Sequence, residues 1–184
     1  MMRIHIERIK EEGLVLEFEE RPEGFPVLAE MIQKGECEFV APVRTALRAI
    51  RIGDMVEVEG NIETSVRLAC GRCLKEFEIP LKTPFALTFA HQGAGTKENY
   101  DRDNVELSAE DMGLIYFQGE EINLQDGIQE YVIMAFPLRA LCMETCKGLC
   151  PKCGADLNDG DCGCDRMISN SKFAVLKNLK LNRP

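Results

Sequence analysis

Histidine is nearly absent from this chain: His5 and His91 are the only two, and neither stands at ligand spacing from the other. A catalytic zinc keeps an open coordination position and commonly draws on histidine with a nearby general base. That chemistry has no candidates here. A Gly-rich phosphate loop, a nucleophile elbow and a paired-carboxylate pattern are missing too, so no catalysis and no small-molecule substrate are expected. Long apolar runs are also lacking, since no window approaches the roughly 20 uninterrupted apolar residues of a membrane span. The opening MMRIHIERIK interleaves charges among its apolar residues, without the apolar stretch of a signal peptide. A cytoplasmic protein with no membrane contact is the expectation.

What the chain does have is cysteine, nine in 184 residues. Eight fall into four close pairs: Cys70/Cys73, Cys142/Cys146, Cys150/Cys153 and Cys162/Cys164. A disulfide framework belongs to oxidising compartments and usually to small secreted domains, which the opening of the chain argues against. Close pairs instead suit a tetrahedral ion, because one knuckle presents two sulfurs and a second pair completes a Cys₄ shell at Zn–S distances of about 2.3 Å. Eight sulfurs suggest two zinc sites, with Cys37 left over.

Cys150-Pro-Lys-Cys153-Gly154 is the strongest local signal, and Cys162-Gly-Cys164 follows after one short polar loop. One partition therefore makes Cys150, Cys153, Cys162 and Cys164 a local site and leaves Cys70, Cys73, Cys142 and Cys146 to staple two distant segments. The other faces the Cys70/Cys73 and Cys150/Cys153 knuckles across one ion, as in a ribbon. Cys-Gly-Arg-Cys also resembles a dithiol redox motif, with Arg72 and Lys75 nearby to favour a thiolate. However, such a site opens a helix, and Leu74 to Pro84 reads as extended. Arg72, Lys75, Lys147 and Lys152 are better explained as offsetting the formal −2 of a Cys₄ zinc site.

The first ninety residues read as strands. Met2 to Ile9 alternates, Leu14 to Phe18 follows Gly13, and Met55 to Glu59 leads through Gly60-Asn61, a weak tight-turn signal, into Ile62 to Cys70. Val56, Val58, Ile62, Thr64, Val66 and Leu68 should face one way, with Glu57, Glu59, Glu63 and Arg67 outward. A strand over Phe77 to Phe89 carries Pro80 and Pro84, which confine it to an edge or break it in two. Leu114 to Phe117 looks like a short strand. Asn123 looks like the N-cap of a helix from Leu124 to about Phe136, ended by Pro137, with a core stripe of Leu124, Ile128, Tyr131, Val132 and Ala135.

Charge is distributed unevenly. The formal net is −9, and eight bound thiolates with two Zn²⁺ would take it to −13, which repels nucleic acid on average. Residues 95–130 hold ten acids against Lys97 and Arg102: a solvated face, or a docking surface for a basic partner in which Asp101, Asp103, Glu106, Glu110 and Asp111 are the densest group. No acid follows Asp165, while Arg166, Lys172, Lys177, Lys180 and Arg183 are basic. Ser171 could cap a short helix there, with Phe173, Leu176 and Leu179 on one face, too short to be stable alone in water.

Several of these features together resemble the YceD family, also called large ribosomal RNA subunit accumulation protein. They are Cys70-x-Arg-Cys-Leu74, Ile122-Asn123-Leu124 leading to Phe136-Pro137-Leu138, the run CMETCKGLCPKCGADLN from Cys142 to Asn158, Cys162-Gly-Cys164, and the closing Phe173-Ala-Val-Leu-Lys-Asn-Leu. The resemblance spans about Val40 to Lys180, and the first thirty-five residues add nothing to it. It implies a role in the synthesis or accumulation of large-subunit ribosomal RNA, in bacteria and plastids, without a known catalytic activity.

The expected molecule is thus α+β and mostly antiparallel, with one or two helices. It divides into a β body with one long helix over 1–137, a cysteine-rich zinc module over 138–165 and a basic tail over 166–184. Its expected partner is a ribosomal component, either a basic ribosomal protein or the large-subunit rRNA precursor, with Arg166, Lys172, Lys177 and Lys180 as one contact surface and the five acids above as the other. The rival functions are a zinc-dependent adaptor unrelated to RNA and a thiol redox protein.

Overall fold

Alternating apolar and charged residues set up the β architecture. The structure, a computed structural model, describes residues 2–92 and 113–165. Its strands are β1 (Arg3–His5), β2 (Leu14–Glu20), β3 (Glu38–Phe39), β4 (Val43–Ile52), β5 (Met55–Ala69), β6 (Glu76–His91), β7 (Leu114–Phe117) and β8 (Glu121–Asn123), and its helices are α1 (Pro26–Gln33) and α2 (Gln125–Met134). The larger sheet runs β2-β4-β5-β6-β7 with β3 also on β5, and β1 pairs with β8 separately. Among the described residues only β6 and β7 are parallel, and the other pairs are antiparallel. The α+β, mostly antiparallel expectation holds.

One face of the sheet builds the core. Val56, Val58, Ile62, Thr64, Val66 and Leu68 are buried along β5, as their period of two requires, and Glu57, Glu59 and Glu63 are exposed. Phe85 and Phe89 join them from β6, Val43, Leu47 and Ala49 from β4, Ile128 and Val132 from α2, and Leu124 from just before it. Met2, Ile4 and Ile122 close the end where β1 meets β8. Each such side chain taken fully from water contributes about 1.5–3 kcal/mol. The outer face is laced instead by exposed ion pairs, Glu19–Arg44, Glu63–Lys82 and Glu38–Arg67–Glu78, each worth about 0–1 kcal/mol.

Three readings are corrected, and one pair of alternatives is resolved. Gly60-Asn61 is not a turn, because β5 runs straight through it and pairs Gly60 with Leu47 on one side and Phe85 on the other. Glycine is there for close approach: a Cβ would strike the Ala46 carbonyl oxygen and lie 2.8 Å from Leu47 Cα. Of the two outcomes expected for Pro80 and Pro84, the edge is the one found: β6 is unbroken and β7 covers only Thr88 to His91, so both prolines lie on an open edge where a missing N–H costs no ladder bond. Met2 to Ile9 yields only the three-residue β1 before a 3₁₀ turn over Ile6–Arg8. Helix α1 lies in a stretch read as strand, opening on Pro26, whose fixed φ suits a first turn.

Asn123 is the last residue of β8, with Leu124 at the cap position, so α2 begins one residue later than expected. Its side chain still acts locally, since Asn123 Oδ1 accepts the Gln125 N–H at 3.0 Å. The expected stripe on α2 is confirmed: Leu124, Ile128 and Val132 are buried, and Tyr131 is half-buried, its hydroxyl donating to the Ala86 carbonyl at 3.0 Å.

Candidate metal centres

The long hairpin of β5 and β6 carries the first pair of cysteines at its tip. With β5 ending at Ala69 and β6 starting at Glu76, Cys70 to Cys73 form the turn, closed by Leu74 N–H donating to the Cys70 carbonyl at 2.9 Å and Cys70 N–H donating to the Lys75 carbonyl at 2.9 Å. The segment after α2 is stitched onto this tip. Gly71 N–H donates to the Ala140 carbonyl at 2.8 Å, Leu149 N–H to the Arg72 carbonyl at 3.1 Å, and the Arg72 guanidinium to the carbonyls of Cys146 at 2.7 Å and Glu144 at 3.2 Å.

These bonds bring Cys142 and Cys146 against Cys70 and Cys73. The sulfurs of Cys70 and Cys146 lie 3.8 Å apart and those of Cys73 and Cys142 3.7 Å apart, and all four fall within 4.8 Å of one another. Four sulfurs at about 2.3 Å from a tetrahedral ion stand about 3.75 Å from each other. A disulfide would need about 2.05 Å, and all nine cysteines are free. The spacing is therefore that of a Cys₄ metal shell.

The second cluster is local. Cys150, Cys153, Cys162 and Cys164 also converge within 4.8 Å, which selects the first of the two partitions over the ribbon-like one. Here Gly154 N–H donates to the Cys150 carbonyl and Cys150 N–H to the Ala155 carbonyl, both at 2.8 Å. An isolated bridge joins Leu149 to Asp156, and Asp161 Oδ1 accepts the Gly163 N–H at 3.1 Å between the last two cysteines.

Three residues of the loop between Cys153 and Cys162 link the two clusters. Asn158 donates its side-chain amide to the Cys146 sulfur at 3.4 Å and to Asp156 Oδ1 at 2.7 Å, and its Oδ1 accepts the Lys147 N–H at 2.8 Å. Lys75, beside the first knuckle, pairs with Asp156 at 2.9 Å and with Asp159 at 3.4 Å. The sequence offered Lys75 and Arg72 as counter-charges or as promoters of a reactive thiolate and gave Asp156, Asn158 and Asp159 no role. Their signal was an Asp-x-Asn turn inside a loop closed at both ends by cysteine.

Backbone N–H groups of Cys142 and then Cys73 hold the Cys70 thiol down at about 6, and those of Cys153 and Lys152 do the same for Cys150, also about 6. Burial, then the neighbouring Cys73, Cys70 and Cys146 sulfurs, push Cys142 up to about 12. The Cys153 and Cys162 sulfurs, with burial, push Cys164 up to about 12. Each cluster is thus prepared to ionise at one sulfur and opposed at another, and a divalent cation is what lets all four become thiolates. Zinc fits this donor set, since closed all-sulfur shells are its structural mode. Cys37 sits apart, packed with Val66, Leu68 and Leu81, its thiol pushed up by burial. The Cys70-to-Cys73 motif opens no helix, as a thioredoxin-like site would.

Arg166, Lys172, Lys177, Lys180, Asp101, Asp103, Glu106, Glu110 and Asp111, and the short helix expected after Ser171, lie outside the described residues. Among the described residues, no helix is long and apolar enough to cross a membrane.

A mostly antiparallel sheet whose hairpin tip and following segment gather two four-cysteine clusters defines an α+β protein with two candidate metal centres. The model of the family described as large ribosomal RNA subunit accumulation protein YceD matches residues 58–180, and the chain belongs to that family. Among curated proteins it is similar to the chloroplastic large ribosomal RNA subunit accumulation protein YCED homolog 1 of Arabidopsis thaliana, 28% identical over 158 residues, covering 76% of this chain and 49% of that one. The homologue of the same name from Zea mays is 25% identical over 142 residues, 67% of this chain and 48% of that one. An uncharacterized protein of Mycobacterium tuberculosis is 27% identical over 111 residues, 60% of this chain and 49% of that one. The chain spans about half the length of these relatives. No solved structure matches it.

Proposed function

We propose that the protein is a non-enzymatic factor, acting in the cytoplasm, that supports the synthesis, accumulation or stability of large-subunit ribosomal RNA by docking to a ribosomal component. The observation that carries this reading is the family match over residues 58–180, which includes all eight paired cysteines. On it, residues 1–137 are the body, 138–165 a module held by two Cys₄ zinc sites, and 166–184 a basic contact segment. The metal is structural: each shell is closed by sulfur, and no ligand position is left for a substrate.

Of the two partners, a basic ribosomal protein is favoured over the rRNA precursor by the net charge of −9, which opposes approach to phosphate at long range. Deleting the gene and measuring the ratio of large- to small-subunit rRNA tests the role. A fall in that ratio, restored by the wild-type chain and not by a Cys73→Ser, Cys150→Ser double variant, is expected. An unchanged ratio in the deletion strain would exclude it.

A further inference from the structure

The two clusters hold the same four sulfurs in unequal surroundings. In the first, Cys70, Cys73 and Cys146 are buried and Cys142 is half-buried. In the second, only Cys150 is buried, Cys162 and Cys164 are half-buried, and Cys153 is exposed. The first is braced by five hydrogen bonds donated by Gly71, Leu149, Asn158 and Arg72. Among the described residues, the bonds given above for the second lie in its own knuckle and loop. Yet the donor to the Cys146 sulfur, Asn158, and both carboxylates that pair with Lys75 belong to the loop the second cluster closes.

We infer that the two sites are unequal and coupled: the Cys150, Cys153, Cys162 and Cys164 site is an exchangeable thiolate site for a soft divalent cation, and its loop is a latch on the Cys70, Cys73, Cys142 and Cys146 site. The inference rests on the two-zinc reading above. A competing ligand reaches the second ion along the exposed Cys153 side, whereas at the first ion it meets buried sulfurs. Once the second ion has left, the loop over 155–161 is no longer closed at both ends. Asn158 and Asp156 then lose their fixed positions, Cys146 loses its amide donor and Lys75 its partners. Donors to metal-bound groups typically change metal affinity about 10–100-fold when removed, which sets the strength of the latch.

The test uses the zinc-loaded full chain with a chromogenic zinc chelator, followed by native mass spectrometry and iodoacetamide footprinting. The expected course is a fast phase releasing one Zn²⁺ and exposing Cys150, Cys153, Cys162 and Cys164 to alkylation, then a slow phase releasing the second. Exchange against an excess of isotopically labelled Zn²⁺, read by native mass spectrometry, keeps the second site loaded; there Asn158→Ala should speed replacement of the slower ion about 10-fold or more and leave the faster one unchanged. Lys75→Gln should act in the same direction and decides the matter if Asn158→Ala fails to fold by circular dichroism. A single release phase, alkylation of the Cys70 cluster first, or unchanged exchange of the slower ion in the folded variants under excess zinc would overturn the coupling while leaving two zinc sites standing. A reduced chain that holds no metal would instead overturn the metal reading and the inference with it.

Discussion

Leu74 and Gly154 occupy the same place in two copies of one turn. Each follows the second cysteine of a Cys-x-x-Cys knuckle, each donates its N–H to the carbonyl of the first cysteine at 2.9 and 2.8 Å, and each has a positive φ, 62° and 75°. The knuckle demands the left-handed conformation, and only glycine takes it without cost. An L-residue there loses about 1–2 kcal/mol, and Leu74 recovers little, being 66% exposed. Gly154→Leu should therefore cost about 1–2 kcal/mol in zinc-loaded urea unfolding. Leu74→Gly, gaining relief of strain but losing about 0.5–1 kcal/mol to chain entropy, should change stability by less than about 1 kcal/mol. A loss of about 2 kcal/mol from Leu74→Gly, beyond what that entropy explains, would mean that its side chain packs against something.

The two knuckles also mark how far the sequence could be read. Gly154 announced its turn, whereas Leu74 hid an identical one, because side-chain type reports conformation only where the chain follows propensity. The sheet was legible through the period-two burial of Val56 to Leu68, which keeps one face only because β5 runs straight through Gly60. What misled was Gly60 itself: glycine serves both turns and close approach, and only the position of Leu47 across the strand tells which. Helix α1 was obscured by its short length and its apolar residues, which match a buried strand equally well. The cysteines' grouping was legible as two alternatives, and the hydrogen bond from Gly71 to Ala140 that helps choose between them is a tertiary fact. The Asp-x-Asn turn at Asn158 was within reach, but its bond to Cys146 was not, since nothing local relates the two.

Gly60 offers a sharp test of that close approach. Gly60→Ala places a methyl against the β4 backbone rather than against a flexible side chain, so the strand must move. Overpacking of this kind costs about 1–3 kcal/mol. The neighbouring Asn61→Ala, on the exposed face, should stay within about 0.5 kcal/mol. Urea midpoints of the two variants check this, and equal midpoints would mean that β4 and β5 separate without penalty.

Metal content and folding should be linked in one part of the molecule. Purified reduced protein is expected to release about two Zn²⁺ per chain on thiol modification, and less than half an equivalent of any metal would end the two-site reading. Iron in part of the sample would not, because four thiolates suit iron as well. Cys153→Ser removes one sulfur from a segment with little apolar core of its own: beyond residue 140, the buried positions among the described residues are Cys146, Gly148, Cys150 and Leu157. Because metal binding supplies most of the ordering free energy of such segments, hydrogen exchange in this variant should rise over 142–165 and stay slow in β4, β5 and β6. Exchange unchanged throughout would make the ion incidental.

The choice between RNA and protein as the direct partner turns on charge. In a complex with RNA, removing one cation from a phosphate lowers the slope of log affinity against log salt by about 0.7–0.9. Replacing Lys172, Lys177 and Lys180 with Gln removes three positive charges from the acid-free stretch after Asp165 and leaves Phe173, Leu176 and Leu179 in place. If rRNA is bound directly, the triple variant should bind more weakly, with a salt slope smaller by about 2–3. If the partner is a basic ribosomal protein, that variant should behave as wild type. Neutralising Asp101, Asp103, Glu106, Glu110 and Asp111 should then abolish its capture. The net charge of −9 favours the second outcome, because in a body repelled by phosphate three lysines must overcome the long-range field before they reach the RNA. Nanomolar binding of large-subunit rRNA by the isolated wild type at physiological salt would reverse that preference.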